Sequence, residues 1–126
     1  MTYPSNLRYT KDHEWISSND QKTGVIGVTA YAIEQLGDIV HLDLPKVGAE
    51  LKANDPFGTI ESTKTVSDLY APVSGTVTAV NTELASNFDL FSSDPHGKAW
   101  LLKVDLAVPK ELESLLTANQ YEQHIQ

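Results

Sequence analysis

Apolar and polar positions trade places over short distances along this chain, and the first elements they predict are strands. Residues 7–10 and 14–17 are short segments mixing apolar and polar side chains. Thr23–Val28 forms a returning arm after the polar turn Asn19-Asp20-Gln21-Lys22. A short helix follows, with Thr29 as its N-cap, Ala30–Leu36 as its body and Gly37 as its stop. Ile33 and Leu36 fall on one side of it, where they can pack on a sheet. Over residues 38–44 the period turns to two, with Ile39, His41 and Asp43 alternating against Val40, Leu42 and Leu44, and a strand is expected.

Beyond Leu44 the chain breaks into short pieces. Pro45 and Gly48 punctuate one connection, Asn54-Asp55-Pro56 another, and Pro72 and Gly75 a third; residues 57–60, 67–71 and 76–81 lie between and after them as strands. Turn signals this closely spaced predict a sandwich or flattened barrel and not a βαβ array. Pro45-x-x-Gly48 and Pro72-x-x-Gly75 stand 27 positions apart, an echo that would suit two similar halves. The tail reads as helical. Pro109 fits a first turn, Glu111 and Glu113 suit the positive end of the helix dipole, and Leu112, Leu115 and Leu116 form an i, i+3, i+4 stripe. Thr117-Ala118-Asn119-Gln120 reads as a capping box opening a last helix through Ile125.

Composition narrows the function. The 126 residues suit one domain, with a β-sandwich core over about 23–105 and helices over about 109–125. Nine basic against seventeen acidic side chains give a formal charge of −8, which repels phosphate backbones and disfavours nucleic acid. There is no cysteine, so a disulfide scaffold, a thiolate metal site and a cysteine nucleophile are excluded together. Any dithiol chemistry must come from an attached group. No apolar run approaches transmembrane length, and the first residues lack the regions of a signal peptide. Cytoplasm is the expected compartment, with the mitochondrial matrix the alternative for a chain stripped of a targeting segment. No apolar surface stripe calls for an obligate oligomer, and a monomer is expected.

Candidate chemistry is sparse. His13, His41, His96 and His124 show no zinc-binding spacing, and strand alternation would place Asp12 and Glu14 on one face with His13 on the other. No metal site is expected. Neither a nucleophile motif nor a phosphate loop is present, so catalysis has no anchor. Lys64 stands apart, because residues 61–65 between two strand-like segments contain neither Gly nor Pro. One reading is a solvated charge that blunts a sheet edge. The other is an amine held out at a hairpin apex, from which a long acyl chain could visit other active sites while the scaffold stays rigid. Acylation would remove one positive charge, taking −8 to −9.

Several stretches together resemble the H protein family of the glycine cleavage system. Tyr9-Thr10-Lys11-Asp12-His13-Glu14-Trp15 is similar to its amino-terminal signature. Gly27-Val28-Thr29-Ala30-Tyr31-Ala32 and Gln35-Leu36-Gly37-Asp38-Ile39-Val40, with Leu44-Pro45-x-Val47-Gly48, are similar to its next block. Glu61-Ser62-Thr63-Lys64-x-x-Ser67-Asp68, followed by Ala71-Pro72-Val73-Ser74-Gly75, resembles its lipoylation segment, and Glu111-Leu112-Glu113-Ser114-Leu115-Leu116 with Tyr121-Glu122 resembles its carboxyl end. The likeness spans roughly residues 7 to 122. It implies a mainly β hybrid barrel-sandwich of the lipoyl/biotinyl type, with short helices including a C-terminal helical segment. It also implies a non-catalytic carrier with lipoate amide-linked to Lys64.

The partners so implied are a pyridoxal-phosphate glycine decarboxylase, a folate-dependent aminomethyltransferase, dihydrolipoyl dehydrogenase and a lipoylating enzyme. The missing cysteines then make sense, since the dithiol is borrowed. Withdrawing a loaded, hydrolysable arm into a surface groove would exclude water. Charge and proximity to the motifs make Glu14 and Asp68 the candidates that could meet its amine. Phe88, His96 and Ala99 depart from the family's usual proline, tyrosine and glycine, and they bear on the surface shown to partners.

Other readings compete. Biotin carriers normally carry Met-Lys-Met, whereas Thr63 and Thr65 flank Lys64. The lipoyl domains of 2-oxoacid dehydrogenases usually carry Asp-Lys-Ala beside a flexible linker, and no Pro/Ala-rich linker is present here. An H-like protein that relays lipoate to other proteins, or that serves another lipoyl-dependent pathway such as sulfur metabolism, is the alternative within the family. An enzyme using Asp12, His13 and Glu14 would have to turn over as the unmodified chain, and a structural adaptor would be indifferent to Lys64→Arg.

Overall fold

The computed structural model describes residues 3–18 and 20–125, so Asn19 of the expected turn lies outside the described residues. Strands β1 (Arg8–Tyr9), β2 (Glu14–Ser17) and β3 (Thr23–Val28) lead into helix α1 (Ala30–Leu36). Then come β4 (Ile39–Asp43), β5 (Glu50–Leu51), β6 (Pro56–Ser62), β7 (Val66–Tyr70) and β8 (Gly75–Val80). After them stand a 3-10 turn (Thr82–Ser86), α2 (Leu90–Ser93), β9 (Leu102–Leu106), a second 3-10 segment (Pro109–Ser114) and α3 (Ala118–His124). Two antiparallel sheets form, one ordered β1-β2-β3-β9-β8-β5 and the other β4-β6-β7. The expected mainly β sandwich with short helices is what the chain adopts.

Two cores hold it. Between the sheets lies an aliphatic core that includes Ile26, Ile60, Leu69, Val77, Leu102 and Val104, with Ile33 and Leu36 of α1 and Phe91 of α2 docked on it. A second, aromatic core joins the chain ends: Tyr3, Leu7, Tyr9 and Trp15 pack with Ala118 and Tyr121 of α3. Trp15 sits directly across from Gly27, where a Cβ would collide with the indole. Its Nε1 donates to the carbonyls of Val28 (3.0 Å) and Pro95 (2.9 Å), tying the loop after α2 to β2 and β3.

Several expectations need correction. β9 was not anticipated, although Leu102, Val104 and Leu106 alternate with exposed Lys103 and Asp105 and the strand sits between β3 and β8. In β4 a bulge between Ile39 and His41 breaks the period of two. Ile39, Leu42 and Leu44 therefore pack toward the core, while Val40 points out at 47% exposure. The leucine stripe of the tail does not form one face, because residues 109–114 are 3-10 and Leu115 is already extended. Leu112 and Leu115 join the aliphatic core, and Leu116 packs on the aromatic one, exchanging backbone hydrogen bonds with Tyr9 (2.8 and 2.9 Å). The Pro-x-x-Gly echo does not mark equivalent sites. Gly48 turns at φ +95° in open space, whereas a Cβ on Gly75 would collide with the Asp105 carbonyl of β9.

Thr29 and Thr117 do cap as their sequence contexts predict. Thr29 Oγ1 accepts from Ala32 N, and Thr117 and Gln120 close a reciprocal capping box on α3.

Candidate functional site

The β6–β7 hairpin carries Lys64 at its tip, and one buried hydroxyl organises the bend. Ser62 Oγ accepts from the backbone N–H of Lys64 and of Thr65 (3.2 Å each), while Ser62 N donates to the Thr65 carbonyl at 2.8 Å. Thr63 N donates to the Asp38 carbonyl (3.0 Å), fastening the tip to the residue that leaves α1. The side chains of Thr63, Lys64, Thr65 and Val66 are exposed. The tip's backbone groups are thus satisfied by Ser62 and by other backbone groups, and the lysine side chain is left exposed. Its side chain lies over Gly37: a methyl placed there would stand 3.7 Å from both Cε and Nζ of Lys64. Gly37 ends α1 at φ +87° and ψ −140°, a positive-φ conformation that side-chain-bearing residues rarely adopt.

α1 stands between two cavities. One, of about 320 Å³, is lined by Asp12, His13, Glu14, Tyr31, Gln35 and Asp68, among others. The other, of about 490 Å³, lies on the opposite flank against Phe91, Pro95 and His96. Of the three residues singled out from sequence, Glu14 and Asp68 come together in the smaller cavity. Lys64 is not in its wall; it sits at the exposed bend between the strand that ends at Ser62 and the strand that carries Asp68.

Glu14 is only 2% exposed. Thr10 Oγ1 donates to its carboxyl at 2.9 Å and Tyr70 N at 3.4 Å. Burial nonetheless dominates and pushes its pKa up to about 8, against the two hydrogen bonds that favour the charged form and with Asp12 adding repulsion. Asp12, His13 and Glu14 do not alternate as a strand would place them. His13 has φ +74° and precedes β2, so all three reach the same cavity. Among the described residues they form no cluster able to hold a metal ion.

His13 Nδ1 is 2.8 Å from the Tyr121 hydroxyl, which is 2.7 Å from Thr29 Oγ1. Burial, then His124, lowers the His13 pKa, so the ring stays neutral and Tyr121 can donate to it. The cavity wall is therefore bolted to α3. Sequence reading missed Tyr31, Gln35 and this bolt. Tyr31 and Gln35 were legible, being four positions apart on the flank of α1 away from Ile33. The Tyr121 link joins residues 108 apart and carries no local signal.

The family model described as glycine cleavage H-protein matches residues 7–126. A glycine cleavage system H protein of Acidobacterium capsulatum is 54% identical over 122 residues, 97% of this chain and 93% of the relative. One of Bacillus cytotoxicus is 51% identical over 121 residues, 96% of this chain and 94% of the relative. The crystal structure of a glycine cleavage system H protein from Mycobacterium marinum superposes with a TM-score of 0.89 at 38% identity, covering 98% of each chain.

Proposed function

Since the chain belongs to the glycine cleavage H-protein family, a family of lipoyl carriers and not of enzymes, we propose that Lys64 is its lipoyl attachment site. The observation that carries this reading is the exposed amine at a bend whose backbone is satisfied by Ser62, beside a cavity floored by a buried carboxyl. These residues fit the group: the amine is open to an acylating enzyme, and Glu14 gives the free end of an arm somewhere to go. When attached, lipoate would supply a disulfide that opens to take an aminomethyl unit on one sulfur at glycine decarboxylase, a dithiol once the aminomethyltransferase has removed that unit, and the disulfide again after dihydrolipoyl dehydrogenase takes the two electrons.

The chain's own residues supply reach and shelter. Glu14, with its pKa near 8, is mostly protonated at neutral pH while the cavity is empty, which spares the fold a buried charge. A cationic amine entering beside it makes the carboxylate the favoured form, and Asp68 at the cavity's exposed side adds a second negative group. The whole chain, residues 1–126, acts as one carrier unit in the cytoplasm. Among the described residues no helix is long and apolar enough to cross a membrane.

Intact mass and peptide mapping after incubation with lipoate and a lipoylating enzyme test the reading. One added lipoyl unit at Lys64 is expected, and none on Lys64→Arg; a bare Lys64, or an adduct elsewhere, would overturn it. Glu14→Gln with Asp68→Asn should shorten the lifetime of the loaded arm, and an unchanged lifetime would remove both residues from this role.

A further inference from the structure

α1 is a ridge whose flanks separate by helical spacing. Residues 30, 33, 34 and 37 line the 490 Å³ cavity, and residues 31, 32, 35 and 36 line the 320 Å³ one. Lys64 lies over Gly37, at the end of the ridge where Leu36 belongs to one cavity and Gly37 to the other. We propose that the larger cavity is a second seat for the arm on Lys64, occupied by its neutral, unloaded disulfide ring, while the Glu14 cavity receives the amine-bearing end. This rests on the reading of Lys64 as the lipoyl site.

Three observations support the division. The first is access: Gly37 lines the larger cavity and has no side chain, so at that position of the rim only backbone lies under the end of the Lys64 side chain. The second is reach. From Gly37 to Ala30 the ridge runs about 10 Å at the usual helical rise, a length comparable with an extended octanoyl chain.

The third is chemistry. Phe91, Ile33 and Ala30, all buried, back the cavity and with Pro95 give it an apolar lining against which a neutral disulfide ring can pack. The carboxylates of this cavity, Glu34 and Asp38, are exposed and keep their hydration, so a neutral ring strands no buried charge. His96 Nε2 already accepts from Ala30 N at 3.2 Å, which fixes the ring as wall. The smaller cavity differs in kind. There Glu14 is buried, and an entering amine gains a charge pairing with its carboxyl that a neutral ring cannot offer.

One isoleucine labelling scheme reports on both seats, because Ile33 lines the larger cavity and Ile60 the smaller. Methyl NMR of unmodified protein, oxidised lipoylated protein and Lys64→Gln separates the arm from mere loss of charge. The Ile33 methyl should shift on lipoylation, stay put in Lys64→Gln, and lose that shift when Ser92→Trp fills the exposed rim. A water-soluble phosphine should then reduce the arm several-fold faster in lipoylated Ser92→Trp than in the lipoylated parent. A shift at Ile60 in place of Ile33, an equal shift in Lys64→Gln, or silence at both methyls would overturn the second seat. Intact mass keeps the failures apart. A chain that never accepts lipoate loses the underlying reading and this one with it, whereas a lipoylated chain with a silent Ile33 loses only the second seat.

Discussion

At the Lys64 hairpin the bend is made by hydrogen bonds among residues 62–65 and one to Asp38, and the side chains from Thr63 to Val66 stand in solvent. Between the chain ends the reverse holds. Tyr9 and Tyr121 stack at 4.9 Å, Tyr3 meets both edge-on, and the Tyr121 hydroxyl reaches Thr29 and His13 from the far end of the sequence. The hairpin's order is local and leaves the Lys64 side chain exposed. The aromatic core's order is long-range, and it props the Glu14 cavity by holding His13 and the N-cap of α1. Chemistry can thus be removed at the first without unfolding the protein, whereas the second cannot be cut without loosening the site it supports.

The largest effect should come from Tyr121→Ala. Truncating a buried aromatic ring costs about 3–5 kcal/mol of unfolding free energy, readable by denaturant titration. Tyr121→Phe keeps the stack with Tyr9 and should cost about 1–3 kcal/mol for the polar groups it strands. If Tyr121→Ala cost no more than an exposed substitution, the aromatic core would not be the prop described.

Next is the buried carboxyl that this prop supports. Between its ordinary value of 4.5 and its folded value of about 8, Glu14 keeps its proton in the folded chain and loses it in the unfolded one. Stability at Glu14 is therefore greatest below pH 4.5 and falls as pH rises toward 8, by at most about 1.4 kcal/mol per pH unit. Glu14→Gln lacks that loss. The difference in unfolding free energy between variant and parent should shift in the variant's favour across this window and level off above it. Taking the difference removes His13 and His96, whose burial-lowered pKa values act at acid pH in both proteins. A flat difference from pH 4.5 to 8 would show that Glu14 titrates as an exposed group does.

The same split between local and long-range order decides what could be read from sequence. Helix α1 was legible to the residue, since Thr29, Ile33, Leu36 and Gly37 each act through neighbours within a turn. The position of Lys64 at a hairpin tip was legible for the same reason: the hairpin is built from the segment that contains it. β9 was legible and overlooked, its apolar–polar alternation standing plainly in residues 102–106. What could not be read depends on distant partners. Leu116 leaves the helical stripe because Tyr9 offers it a backbone pair, and Val40 turns outward because β4 bulges against β6. His13 joins Glu14 in one cavity because a positive φ, which no strand pattern announces, bends the chain ahead of β2.

Smaller effects belong to the hairpin. Ser62→Ala removes the hydroxyl that accepts from two N–H groups at the tip, and a cost near 1 kcal/mol is expected. A loosened tip should also present its amine less uniformly, so lipoylation should slow without being lost; an unchanged modification rate would mean that the ligase imposes the bend itself.

The smallest effect on stability, and the most complete on carriage, should be Lys64→Arg. The side chain is exposed and keeps its charge in the variant, so the unfolding free energy should stay within about 0.5 kcal/mol of the parent. Arginine offers a guanidinium in place of a primary amine, so no acyl amide forms and the added mass disappears entirely. A fold-neutral change that abolishes modification is what a site held outside the packing requires. Should Lys64→Arg destabilise as Tyr121→Ala does, the amine would be part of the structure, and the hairpin would no longer differ in kind from the aromatic core.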